Sequence, residues 1–191
     1  HTIGRRQRQM CIRDRYGSDK GNLNNKHNYS IIYEALFNDL RNNKLNLMEV
    51  GLGSIDENVK FHMKFMGKDY KPLASLYAWR DYFKNANIYG ADIDKKILKN
   101  TNRINTFHVD MLNSNSINKM WDQVNKKIDI FIDDGFHSFE ANTNLFKSSF
   151  KFLKKNGFYI IEDIHRKPSN IKRFYKFFME KKLNFKIIDL Y

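Results

Sequence analysis

The chain has 191 residues, enough for one domain with a sizeable core. No apolar run approaches the roughly 18 residues of a membrane span, and the first fifteen residues carry charge without the apolar stretch of a secretory signal. Residues 1–15 read as translated adapter sequence, with a native basic arm that binds nucleic acid as the alternative; removing their net +4 from the formal +13 leaves +9 on scattered lysines with no basic stripe, which argues against nucleic acid as a partner of the rest.

Cys11, the single cysteine, lies in that set-aside stretch, so residues 16–191 cannot form a disulfide, as suits the cytoplasm. Ile32, Leu36 and Leu40 recur at four-residue spacing and predict a helix with one apolar face. "NLMEVG" (46–51) reads as a short buried strand. Residues 53–72 are long for a strand-to-helix connection, and such loops are often functional. Helical spacing returns in 74–83, followed by strands at 87–94 and 104–110 and a helix over 116–127. A strand at 128–134, a helix over 138–155, a strand at 157–163, a helix over 169–182 and a strand at 184–190 complete the series. This alternation predicts an α/β fold in one domain over 16–191, with a mostly parallel sheet covered by helices on both faces.

Ligands of open α/β sheets bind beyond the carboxyl ends of the strands. The residues expected there are Glu49, Gly51 and Gly53, then Asp92 and Asp94, Asp110, the run Asp133, Asp134 and His137, and finally Glu162, Asp163 and His165. An aspartate closing one strand is ordinarily a turn residue. Carboxylates closing neighbouring strands, about 4.8 Å apart, repel one another and raise each other's pKa unless a cation joins them. All-oxygen ligation favours magnesium, manganese or calcium over zinc. His137, just past Gly135, is placed for proton transfer near neutral pH; His165 takes no role. "EVGLG" lacks the third glycine of a dinucleotide fingerprint. With Glu49 ahead of its glycines and "GADID" (90–94) ending the next strand, it fits an S-adenosylmethionine loop better.

"YGSDKG" (16–21), "HNYSIIYEALF" (27–37), "LMEVGLGS", "ASLYAWRDYFKNANIYGADID", "RINTFHVD", "IDIFIDDGFH" and "GFYIIEDI" stand in an order that resembles class I S-adenosylmethionine-dependent methyltransferases. The likeness is to the metal-dependent sugar O-methyltransferases that modify macrolide antibiotics and their bacterial relatives. It covers residues 16 to about 164. The resemblance implies that Glu49, Gly51 and Gly53 line the methionine part of the cofactor, that Asp92 binds its ribose and that Asp110 sits by the adenine. Asp134, Glu162 and Asp163 match the metal ligands, with Mg2+ or Mn2+ expected, and His137 matches the general base. Asp133 is grouped with the cofactor contacts, with rim electrostatics as its alternative. Lys20, His27 and Tyr29 are candidates for cofactor or substrate contact, with packing as the alternative.

The implied activity is methyl transfer to a hydroxyl of a sugar or glycoconjugate by a bacterial, cytoplasmic enzyme. Its expected partners are a small-molecule or glycan acceptor and further copies of itself. The competing readings are an enzyme of the same fold acting on nucleic acid or another polymer, and a non-catalytic binding module. Pro72-Leu73-Ala74 replaces the glycine the relatives tend to have there, so the loop is expected to be shaped differently. The resemblance also implies a sheet order 3-2-1-4-5-7-6 with an antiparallel seventh strand. Six strands are counted here, so the final antiparallel strand is expected to be missing and the chain truncated at its C-terminus.

Overall fold

The computed structural model describes residue 16, residues 29–67 and residues 70–190; the tail 1–15, Lys20 and His27 lie outside the described residues. Five strands, β1 (Asn46–Val50), β2 (Asn87–Asp92), β3 (Ile104–His108), β4 (Ile128–Asp133) and β5 (Leu153–Ile161), form one sheet in the order 3-2-1-4-5. Every pairing is parallel.

The helices are α1 (Tyr29–Phe37), α2 (Ala74–Tyr82), α3 (Ser114–Val124), α4 (Phe139–Ser149) and α5 (Pro168–Glu180). Side chains alternate across each strand. Leu47, Ile88, Ile130 and Ile132 therefore meet Tyr33 and Phe37 of α1, Trp79 of α2 and the adjoining Phe83 on one face. Met48, Val50, Tyr89 and Phe131 meet Ile117, Met120, Trp121 and Leu145 of α3 and α4 on the other. The α3 sequence shows why it folds there: Asn113 caps it by accepting from the N–H groups of Asn115 and Ser116. Its buried residues Ile117, Met120, Trp121 and Val124 make a single stripe. α5 lies against α4, with the buried Phe174 ring 5.0 Å from Phe139.

Some expectations need correction. Residues 184–190 form no strand and pair with nothing in the sheet. A strand exists through its partner, and in the order the resemblance implies that partner is the seventh strand, which is absent among the described residues. The segment instead leans on α5, with Phe185 5.4 Å from both Tyr175 and Phe178 and Asp189 paired to Arg166 at 2.7 Å. The helix expected to 155 ends at Ser149, and β5 begins early at Leu153. Ile128 pairs with Leu153 but Ile130 with Phe158, so residues between them bulge, with Asn156 at φ +63°. On α1 the deeply buried positions are Ser30, Tyr33 and Phe37; Ile32 is only half-buried, and Leu36 and, beyond the helix end, Leu40 border the core. The larger aromatic rings take the interior.

Candidate active site

Backbone hydrogen bonds continue the sheet past its strand ends and fix the rim. Gly51 N–H donates to Ala91 O at 2.9 Å, Asp134 N–H to Val50 O at 2.8 Å, and Glu162 N–H to Asp133 O at 2.9 Å. A cavity of about 460 Å³ opens there, and Gly51, Gly53, Asp92, Asp110, Asp134, His137 and Asp163 all line it.

Gly51 and Gly53 have φ of +95° and +75°, where glycine alone is unstrained. A Cβ on Gly51 would collide with the Asp134 carbonyl, and one on Gly53 with the Tyr70 hydroxyl. The glycines thus let β1's loop touch the β4 rim on one side and the 53–72 loop on the other. Asp92 is buried and held by two backbone donors, Leu52 N–H at 2.6 Å and Asp94 N–H at 2.8 Å. Burial pushes its carboxyl above the ordinary aspartate value against those donors. Asp94, also buried, accepts from the Ser54 hydroxyl at 2.6 Å and ties down the loop that follows Gly53. Asp110 caps its own turn by accepting from Leu112 N–H at 2.9 Å.

Asp134, His137 and Asp163 each present a ligand atom, and these atoms lie within 4.8 Å of one another. His137 and Asp163 sit at φ of +50° and +51°, conformations that cost non-glycine residues of order 1–3 kcal/mol and gather at functional sites. Two carboxylates and an imidazole at that spacing fit a divalent cation.

Three residues that the resemblance assigns to the cofactor or metal do not line the cavity, nor do Asp94 and His165 from the same strand ends. Glu49 and Asp133 are wholly buried and Glu162 is 2% exposed. Alternation along β1 turns Glu49 toward the α1–α2 face, beneath the glycine loop rather than against it. Asp133 points to the opposite face, where Asn142 Nδ2 of α4 donates to its Oδ2 at 3.0 Å. Burial drives the Asp133 carboxyl up to about 7, opposed by the Asn142 bond. Glu162 Oε1 accepts from the Tyr33 hydroxyl, and Glu162 stands outside the three-residue group. Tyr29, considered for cofactor or substrate contact, commits its hydroxyl to Asp163 Oδ1.

The sequence reading missed the aromatic wall. Lys60, Phe61, Phe65 and Phe136 also line the cavity. Phe61 stands edge-on to Phe136 at 5.1 Å and to His137 at 6.1 Å, and the Lys60 ammonium lies 4.8 Å from the Phe136 centroid. The length of the 53–72 connection was the available signal for it. Among the described residues, Lys60 is the only lysine or arginine lining the cavity, against four aspartates.

No family model matches the chain. The chain is 31% identical over 153 residues to the 8-demethyl-8-alpha-L-rhamnosyl tetracenomycin-C 2'-O-methyltransferase of Streptomyces olivaceus, covering 78% of this chain and 36% of that one. It is 28% identical over 138 residues to the demethylmacrocin O-methyltransferase of Streptomyces fradiae, covering 72% and 32%. It therefore spans about a third of the length of the curated relatives it matches. Among solved structures it superposes on the MycE methyltransferase from the mycinamycin biosynthetic pathway in complex with Mg and SAH. The TM-score is 0.67 at 26% identity, over 81% of this chain and 39% of that one. The architecture is the Rossmann-like fold of class I methyltransferases. Within that class the chain is similar to the macrolide-sugar O-methyltransferases, as its motifs imply.

Proposed function

We propose that this chain carries the catalytic domain of an S-adenosylmethionine-dependent, divalent-metal-assisted O-methyltransferase that acts on a hydroxyl of a sugar or glycoconjugate. The observation that carries the reading is the meeting of Asp134, His137 and Asp163 in the cavity that also holds Gly51, Gly53, Asp92 and Asp110. The relatives named above support it, both being named O-methyltransferases and one of them for a rhamnosyl compound. So does the ligand pair, Mg and SAH, of the MycE complex.

When bound, S-adenosylmethionine supplies an electrophilic methyl group, and a magnesium or manganese ion lowers the pKa of an acceptor hydroxyl. The chain's own residues do the rest. Asp134 and Asp163 would hold the ion, with Glu162 behind them. Asp92, fixed by its two backbone donors, keeps lone pairs for the ribose hydroxyls. His137 would take the acceptor's proton, a role typically worth 10²–10⁴-fold. Phe61 and Phe136 give the cavity an apolar wall beside His137, and alignment of acceptor and methyl within it would contribute much of the remaining acceleration. The reading extends to the cytoplasm of a bacterium, because residues 16–191 lack cysteine and the relatives named above are bacterial.

A second assignment of His137 has its own support, since the structure groups this imidazole, and not Glu162, with the two aspartates. In that version His137 is the third metal donor. A polymer acceptor such as RNA is disfavoured by a cavity whose described lining has four aspartates and one lysine.

The test is transfer of a labelled methyl from S-adenosylmethionine to simple rhamnosides. Transfer should stop in chelator and return with Mg2+. Full transfer in chelator would refute the metal reading. Calorimetry with S-adenosylhomocysteine checks the cofactor half: Asp92→Ala should bind at least about tenfold more weakly, and equal affinity would refute the ribose assignment.

A further inference from the structure

The two acids that follow β5 each meet a phenol from one helix. Tyr29 and Tyr33 stand four residues apart on α1, hence on one face of it. The Tyr33 hydroxyl donates to Glu162 Oε1, and the Tyr29 hydroxyl to Asp163 Oδ1. The Tyr29 oxygen has a second bond: it accepts the Asp163 N–H at 3.2 Å. One phenol therefore grips both the backbone and the side chain of Asp163.

That grip falls on a residue in need of it. Asp163 has φ of +51° and belongs to the group with Asp134 and His137. The left-handed region costs an L-residue roughly 1–2 kcal/mol, so something must hold it there. A carboxylate and its own N–H can reach the same oxygen only when the side chain folds back over the backbone. The double bond thus selects one rotamer as well as one backbone conformation. The ring of Tyr33 packs edge-on to Trp79 at 5.0 Å and stacks on Phe37 at 5.5 Å, contacts that a phenylalanine would keep. What the two hydroxyls add is orientation of the acid pair.

We propose that Tyr29 is a positioning residue of the candidate metal centre, locking Asp163 in the left-handed conformation that brings its carboxylate to Asp134 and His137, with Tyr33 steadying Glu162 behind it. This rests on the metal reading above. Outer partners of metal ligands typically change affinity by about 10–100-fold when removed.

The test is Mn2+ titration, followed by calorimetry and by the paramagnetic signal of the bound ion, with Mg2+ measured by competition. Tyr29→Phe should bind Mn2+ at least about tenfold more weakly, at an unchanged melting temperature and S-adenosylhomocysteine affinity. On an Asp163→Asn background the same change should have no further effect, because Tyr29 acts through that carboxylate. Tyr29→Gln, which keeps a donor and an acceptor, should recover part of the affinity. Wild-type affinity in Tyr29→Phe overturns the proposal. So do equal losses in the Phe and Gln variants with matching falls in melting temperature, since these mark packing alone. Failure of the wild-type protein to bind Mn2+ overturns the metal reading itself and is distinguishable from both.

Discussion

His137 carries the sharpest question at the scale of single residues, because the same imidazole serves either as base or as ligand. His137→Ala separates the two. A base gives turnover at least about 100-fold lower with Mn2+ affinity intact, whereas a ligand gives loss of the metal first. Metal titration beside single-turnover kinetics reads both. Asp133 offers a test that needs no substrate. Its carboxyl titrates at about 7 in the fold, against about 3.9 unfolded, so the fold favours the neutral acid. The stability this represents is full below about pH 4, falls as pH rises, and is gone once pH passes about 7. Urea unfolding in chelator should show that decline, amounting to at most about 4 kcal/mol. Asp133→Asn should flatten it, because an amide can still accept from Asn142 and carries no charge. A wild-type profile that is level between pH 4 and 7 rules the effect out.

Among the elements, α3 and α4 depend on each other through Trp121. Its indole N–H donates to Ser149 Oγ at 2.9 Å, and its ring stacks on Phe152 at 4.3 Å. Trp121→Ala should cost about 3–5 kcal/mol in chemical denaturation, with the β1 glycine loop unaffected; a loss below about 1 kcal/mol would mean the two helices close over the gap. Elements of this kind were legible in the sequence through their apolar spacing, which predicted a helix over 116–127 between two buried strands, whereas the Asn113 cap that starts the helix at Ser114 was not read. The order β3-β2-β1-β4-β5 was expected from the resemblance, and the acids closing β2, β4 and β5 were readable as a rim. Two matters of depth were not readable. A sequence shows that Glu49, Asp133 and Glu162 end strands, but only strand alternation against packed helices decides that they lie below the cavity while Asp134 and Asp163 face it. The tyrosines of "YSIIY" were visible too, yet their partners stand 129 and 134 residues away along the chain. Residues 184–190 have strand composition, but pairing is a property of two segments.

The whole molecule has two unlike edges. The outer side of β3 is blunted, since Asn100 Oδ1 accepts Thr106 N–H at 2.8 Å and Thr101 bridges back to Ile104. Among the described residues β5 pairs only with β4, and Tyr175, Met179, Ile187 and Ile188 toward the C-terminus are exposed. An uncovered strand edge beside apolar surface promotes association. Protein comprising residues 16–191 should therefore self-associate with rising concentration, as sedimentation velocity would show, and a single monomeric species at high concentration would contradict this. Charge divides the molecule along a different axis. The cavity mouth gathers Asp92, Asp110, Asp134 and Asp163, while a depression lined by Lys44, Lys84, Arg103 and Lys154 lies where β1 and β2 begin. The acids of the cavity and the bases of the depression thus lie at opposite ends of the described strands. In dilute salt the four cavity aspartates should draw a small cation or a sulfonium compound toward their own end. The capture rate for the cofactor should fall as the Debye length shrinks from about 30 Å in 10 mM salt to about 10 Å in 100 mM, while its rate of escape changes little.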